Sequence, residues 1–346
     1  MGILPVLTKP VSGRLLLLDT FTGADGALLT AHTPNLSRFK SAWEGAAGWT
    51  ITGNTAGHSP ALGIPNLIQS PGFEDAGGGG ADVFLNWSET IAGATTISDE
   101  VVDVYAGAHS CAINVDAVNS NGSVSQAVMA ANNYYLLTLW SKADSILGGP
   151  QFSVYDGSAS PAYFLHWEPF TAAYAQSVAG VLATHGTIIF GRSANCPGRK
   201  LLFDDVSLKA ITATDLPLVS DVHRSDHRVR AWATLSRWRP GGVVARASAD
   251  RNSYLVLNHD GVSTATFRQV VAGVPSTLAT ANVAAVAGAP FDLRTWGSKC
   301  QGFYNGVAIG AAQTCPAGLL ANTRVGIWSM GGAPFTRFQC ERIGGG

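Results

Sequence analysis

Between residues 101 and 208 the chain repeats one pattern: short runs of alternating apolar and polar residues, cut by turn residues, with no convincing amphipathic helix among them. Period-two alternation suits an extended strand that buries one face, whereas a helix would place apolar residues three to four positions apart. The runs 101–105, 111–115, 124–130, 134–140, 152–155, 162–167, 187–191 and 201–208 are read as strands. In 134–140, Tyr134, Leu136, Thr138 and Trp140 share one face, and Tyr135, Leu137 and Leu139 share the other. At least eight short strands bury their apolar faces most economically as two packed sheets. The alanine-rich stretch 170–183 has room for a helical turn between strands.

The N-terminal stretch tells a different story. The hydrophobic run 15–18 ends at Asp19 and Phe21, Ala24-Asp25-Gly26 supplies a turn, and Trp43 and Trp49 follow across a glycine-rich bend. This is the opening of a β-sandwich, and its remaining strands do not come next. They resume after residue 212, where Val229, Ala231, Ala233 and Leu235 alternate with Arg230, Trp232 and Thr234. His259-Asp260-Gly261 marks a tight turn, and Asn305-Gly306 predicts a type I′ hairpin.

Composition narrows the functional classes. Acidic residues number 23 and lysine plus arginine 22, a formal net charge of −1, so no broad attraction to nucleic acid or anionic membrane is expected. Charged residues are 13% of the chain, well under the roughly 25% usual for a globular protein. Such a composition suits a protein that either is very stable alone or meets neighbours over much of its surface. Arg224, His227, Arg228, Arg230, Arg237 and Arg239 lie near Trp232 and Trp238, a stretch able to contact phosphates or an acidic glycan; the near-neutral chain favours a charged outer strand with arginines stacked on tryptophans. Cys111, Cys196, Cys300, Cys315 and Cys340 show no metal-ligand spacing; Cys300 and Cys315 are either a bridge between neighbouring strands or buried thiols. No apolar run approaches the roughly 20 residues of a membrane-spanning helix.

Catalytic patterns are missing from the sequence. The segment 57–60, GHSP, is not a nucleophile elbow, and no zinc-protease, phosphate-loop or dinucleotide motif occurs. Asp99, Glu100 and Asp103 form the densest acidic cluster, which a solubilised strand edge explains. The expectation is a non-enzymatic protein.

Two resemblances follow from longer segments. NLIQSPGFEDA, GAHSCAINVD, SVSQAVMAANNYYLLTLWSKAD and LLFDDVSLKA resemble successive strands of the carbohydrate-binding module superfamily that includes the CBM4, CBM9 and CBM22 types. The resemblance implies a glycan-binding β-sandwich over 65–210 and a structural calcium ion, with Glu74 and Asp75 at the opening acidic position and Asp204 and Asp205 at the closing one. A solvated acidic turn is the competing reading of those acids. Candidate sugar-stacking rings are Trp87, Tyr105, Trp140, Tyr155 and Trp167, with His166 beside them for hydroxyls. Each is open to an ordinary packing role.

DTFTGADGALL, GGVVARASADRNSYLVLN, LRTWGSKCQGFYNGVAIG and FTRFQCERI resemble the concanavalin-like or laminin-G-like jelly roll. The implied fold class is all-β, two β-sandwich (jelly-roll) domains with one inserted in the other: an arm at 1–14, a discontinuous outer sandwich at 15–58 plus 212–346, and an insert at 65–210. Such inserted jelly rolls, together with the low charge, the Pro-punctuated arm and no evident secretory signal, point to a bacteriophage virion protein on the tail or capsid exterior. Its expected partners are other virion proteins or itself, through the outer sandwich and arm, and a cell-surface polysaccharide, with no nucleic acid and no membrane insertion. The alternatives are an architectural decoration protein without glycan binding, and a secreted adhesin or accessory module of a polysaccharide-degrading system.

Overall fold

A computed structural model describes residues 15–46, 48–59, 64–79, 82–115, 121–143, 151–169, 171–192 and 199–343. The expected arm at 1–14 and Cys196 lie outside the described residues. Antiparallel strands dominate, and the helical content among the described residues is two single 3-10 turns, Leu29–Ala31 and Ala317–Leu319.

A nine-stranded sheet joins the two ends of the described chain. Leu15–Asp19 pairs with Phe335–Arg342, followed by His227–Ala233, Ala289–Trp296, Lys299–Tyr304 and Val307–Thr314. Facing it is a six-stranded sheet in the order Pro217–Asp221, Arg324–Ser329, Gly241–Ala247, Tyr254–His259, Thr264–Val271, Val274–Asn282. Their shared core takes Leu17, Phe21, Trp43 and Trp49 from the beginning of the chain and Val243, Leu257, Phe291 and Phe335 from the end. Gly241–Ala247 is buried along its whole length. Both of its faces are covered, which is why 241–245 runs apolar without alternation, and the buried Arg246 that follows pairs with Asp226.

Asp19 ties the opening stretch together. Its buried carboxylate accepts the Trp43 indole N–H at 2.7 Å and the Phe21 amide at 2.8 Å, and His32 Nε2 lies 3.0 Å away. A buried carboxylate needs such partners, and here they hold the strand end against the tryptophan.

Residues 82–211 supply two five-stranded sheets. One runs Tyr163–Pro169, Gln151–Asp156, Ile188–Arg192, Asn121–Gln126, Ser88–Ala92; the other runs Ala175–Leu182, Tyr134–Ala143, Arg199–Ile211, Ser110–Val115, Thr95–Glu100. Phe152, Phe190, Leu137, Leu139 and Phe203 pack between them. A third apolar cluster, including Tyr134, Ile211, Val256 and Trp328, fills the junction between the second of these sheets and the outer face of the six-stranded sheet. The layers are sandwich-like, and among the described residues no sheet closes into the expected jelly-roll barrel.

Two local expectations are corrected. Residues 101–105 are not a strand; pairing ends at Glu100, whose carboxylate accepts the amides of Val102 and Asp103 and turns the chain out of the sheet. The alanine-rich stretch 170–183 carries no helix among its described residues but the strand Ala175–Leu182, paired along its length with Tyr134–Ala143. Small side chains fit either structure, and the neighbouring strand decides. The Asn305-Gly306 hairpin is as expected: Asn305 has φ 48°, Gly306 φ 80°, and Tyr304 faces Val307.

Candidate functional site

On the outer face of the second five-stranded sheet, Trp140 stands partly buried on the strand Tyr134–Ala143. Gln176 is its exposed cross-strand neighbour. The loop 101–109 folds over this strand and lays Tyr105 on the indole, with ring centroids 3.9 Å apart and planes 16° from parallel. Tyr174 completes the cluster at 5.7 Å from Tyr105. Tyr105 is 40% exposed, so the pair offers one open aromatic face backed by a second ring.

Acidic residues from distant parts of the chain build this loop. Asp204 lies opposite Trp140, beside a bulge where Asp205 takes φ 45°. Its Oδ2 accepts the amides of Tyr105 at 2.9 Å and Ala106 at 3.0 Å, and its Oδ1 accepts that of Asp205 at 2.7 Å. Glu74 accepts the amides of Ala108 and His109. Gly107, between them, has φ 70°, and a Cβ there would sit 1.8 Å from Glu74 Oε1, so only glycine fits. Burial raises the Asp204 pKa, against the three amides that favour its charge.

Polar groups surround the rings. Lys142 pairs with Asp103 at 2.6 Å and lies 5.3 Å from the Tyr174 ring centroid. The Tyr174 hydroxyl donates to the Asp103 carbonyl at 3.0 Å, and burial pushes this phenol up to about 12. Asp99 pairs with His109, and Glu100 with Lys200. The acidic cluster seen in the sequence is thus distributed among separate cationic partners.

The remaining candidates lie elsewhere. Trp87 is 4% exposed, stacks on Phe73 at 4.8 Å, meets Phe190 edge-on and donates its N–H to the Ser70 carbonyl. A ring covered in this way presents no face to a sugar, and Trp87 leaves the candidate set. Tyr155 and His166 belong to the opposite sheet; Tyr155 lies 5.6 Å from Tyr163, and Tyr163 lies 4.0 Å from His166. Burial, followed by the charge of Arg237, lowers the His166 pKa. Trp167 is on the strand Tyr163–Pro169, and its side chain is outside the described residues.

The four acids expected to share calcium are used differently. Glu74 and Asp204 both serve the loop amides, Asp75 accepts the Ser70 hydroxyl at 2.7 Å, and Asp205 is exposed. Among the described residues no group of three or more His, Cys, Asp or Glu side chains converges as a metal site. Tyr174 and Gln176 are not marked by the sequence, because nothing local shows that the stretch 170–183 is the partner of 134–140; Lys142 reaches the rings from the end of Trp140's own strand. Pairing those two runs would have placed Gln176 beside Trp140.

No family model matches the chain, and no curated protein matches it. Among solved structures, a CBM22-1 xylan-binding domain from Paenibacillus barcinonensis Xyn10C is similar at 16% identity and TM-score 0.34, covering 43% of this chain and 96% of that domain. The enzymatically active domain of tailspike protein 4 from bacteriophage CBA120 is similar at 16% identity and TM-score 0.32, covering 44% of this chain and 22% of that one. LamAcat from Zobellia galactanivorans is similar at 8% identity and TM-score 0.30, covering 58% and 96%. Values of this size assign neither family nor activity to the chain.

Proposed function

We propose that the protein is a non-enzymatic glycan-recognition component of a bacteriophage particle, in which residues 65–210 form an inserted module whose face around Tyr105, Trp140 and Tyr174 meets host or environmental polysaccharide. The observation that carries this reading is the open Tyr105 ring stacked on Trp140. A flat aromatic surface matches the apolar C–H face of a pyranose, and Gln176, Lys142 and Asp103 around it can bond hydroxyls. Fixing the loop through Asp204 and Glu74 keeps the ring in place before binding, which lowers the entropy cost of association.

Mounting on a particle is supported by two uncharged edge strands. Val274–Asn282 closes the six-stranded sheet and Val307–Thr314 the nine-stranded one, and neither contains a charged residue. Val274 and Val307 are 58% and 46% exposed. Uncharged edge strands with exposed valines offer backbone for pairing with another chain. The location proposed is therefore the virion exterior, with the outer sheets as the mount.

A glycan array probed with the full chain tests the recognition reading. A selective polysaccharide signal that Tyr105→Ala weakens about 10-fold is expected, without release of soluble sugar on prolonged incubation. A flat array from folded protein would leave the architectural alternative, and sugar release would contradict the non-enzymatic assignment.

A further inference from the structure

At the rim of the junction cluster, the six-stranded sheet and the strand Tyr163–Pro169 enclose a cleft of about 490 Å³. Tyr163, His166 and Trp238 line one side. Trp238 is fixed there, since its indole N–H donates to Glu168 and its carbonyl accepts the Gly180 amide. Asn258, Thr266 and Arg268 line the other side; Asn258 faces Thr266 in register, and Arg268 follows two residues on, along the same face.

Several arginines of the molecule are held in ion pairs. Arg228 and Arg294 pair with Asp292, Arg230 with Glu341, Arg237 with Glu168, Arg246 with Asp226, and Arg324 with Glu44. Arg268 has no ion-pair partner among the described residues: one Nη donates to Asn258 Oδ1 at 3.1 Å, and Nε has no acceptor. The hydroxyl of Tyr134, a residue 2% exposed that also lines the cleft, has no partner either. Asp260 also lines the cleft and makes no ion pair with the arginine; its Oδ1 accepts the amides of Val262, Ser263 and Thr264, and burial holds His166 toward its neutral form.

A partly buried guanidinium without an ion pair is costly, and a ligand carboxylate hydrogen-bonded to it from the cleft relieves that cost. The aromatic wall suits a sugar ring, and the volume lies in the roughly 300–1,000 Å³ range of small-molecule sites. We infer that this cleft is a second glycan site, selective for a sugar that carries a carboxylate, such as a uronic acid unit of an acidic polysaccharide. It is separate from the face proposed above. Tyr134 and Trp140 are six residues apart on one strand, about 20 Å at the usual rise.

Calorimetric titration of the full chain with trigalacturonate, galactotriose and triglutamate tests the inference. Trigalacturonate is expected to bind, more weakly as salt rises, with galactotriose and triglutamate at least 10-fold weaker. Arg268→Gln should reduce trigalacturonate affinity at least 10-fold and Tyr105→Ala should leave it unchanged. Should Arg268→Gln not fold, Arg268→Lys should still reduce affinity several-fold by losing the planar guanidinium donors. The inference is overturned if trigalacturonate does not bind, if either comparison ligand binds equally well, if the folded Arg268 variants retain full affinity, or if Tyr105→Ala removes the binding. The last outcome would move the acidic sugar to the Tyr105 face, and loss of array binding alone would overturn that face without touching this cleft.

Discussion

The phenol ring of Tyr105 lies on the indole of Trp140, 3.9 Å between centroids and 16° from parallel. One ring is carried by a loop and the other by a strand, so the two respond differently to truncation. Tyr105→Ala removes an exposed ring and is expected to weaken glycan binding about 10-fold, the equivalent of about 1.4 kcal/mol of lost stacking, with little change in stability. Trp140→Ala, which also opens a partly buried position, should weaken binding and lower stability together. Calorimetry and thermal unfolding of the two variants separate the effects; equal binding by wild type and Tyr105→Ala would remove this face from consideration.

Asp204 is the anchor of that loop. Replacing it with Ala leaves the amides of Tyr105, Ala106 and Asp205 without their acceptor. Hydrogen bonds to a charged group are worth roughly 1.5–3 kcal/mol, so a destabilisation of about 2–3 kcal/mol is expected, with faster amide exchange across residues 101–109. Unchanged exchange in that loop would show that Glu74 alone suffices to hold it.

His227 is fully buried, and burial holds its pKa down at about 4, from an ordinary value of 6.5. The folded state therefore refuses a proton that the unfolded chain accepts. Its contribution to stability is present above about pH 6.5 and is lost as pH falls toward 4, on the order of 3 kcal/mol in all. Asp156, whose carboxylate accepts hydrogen bonds from Thr184, Ala162 and Ser158 and has a lowered pKa, extends the loss to lower pH; Asp204, with its raised pKa, works in the opposite sense. Denaturant melts of wild type and His227→Asn at pH 7 and pH 5 isolate the histidine: the difference between the two proteins should shrink at pH 5.

The edge strands Val274–Asn282 and Val307–Thr314 lie side by side, since a Cβ on Gly310 would sit 2.6 Å from Ala279 Cβ. Introducing lysine at both Val274 and Val307 should block edge pairing at little cost to stability, because both side chains are exposed. Light scattering is expected to show a defined oligomer for wild type and a monomer for the double variant. A wild-type monomer at high concentration would place the mounting surface elsewhere.

Much of the strand pattern was legible in the residues. The alternation in 134–140 correctly sent Leu137 and Leu139 inward and left Trp140 on the mixed face, because a pleated strand turns successive side chains to opposite sides. The conformation of 101–109 was not legible. Its apolar residues suggest a strand, but its amides are captured by Glu74 and Asp204, which lie 34 and 99 positions away along the chain. The same limit applies to Trp87, whose aromatic neighbours Phe73 and Phe190 come from separate segments.

By itself, the sequence determined the extended character of the chain, the turn at Asn305-Gly306 and the lack of broad charge, since these depend on residues close together or on sums over the whole. Tertiary structure alone decided that Tyr105 covers Trp140, that Trp87 is core, and that Arg268 lines a cleft with no ion pair among the described residues. Those outcomes depend on which distant segments share a surface, and alternation within one strand carries no information about what stands opposite.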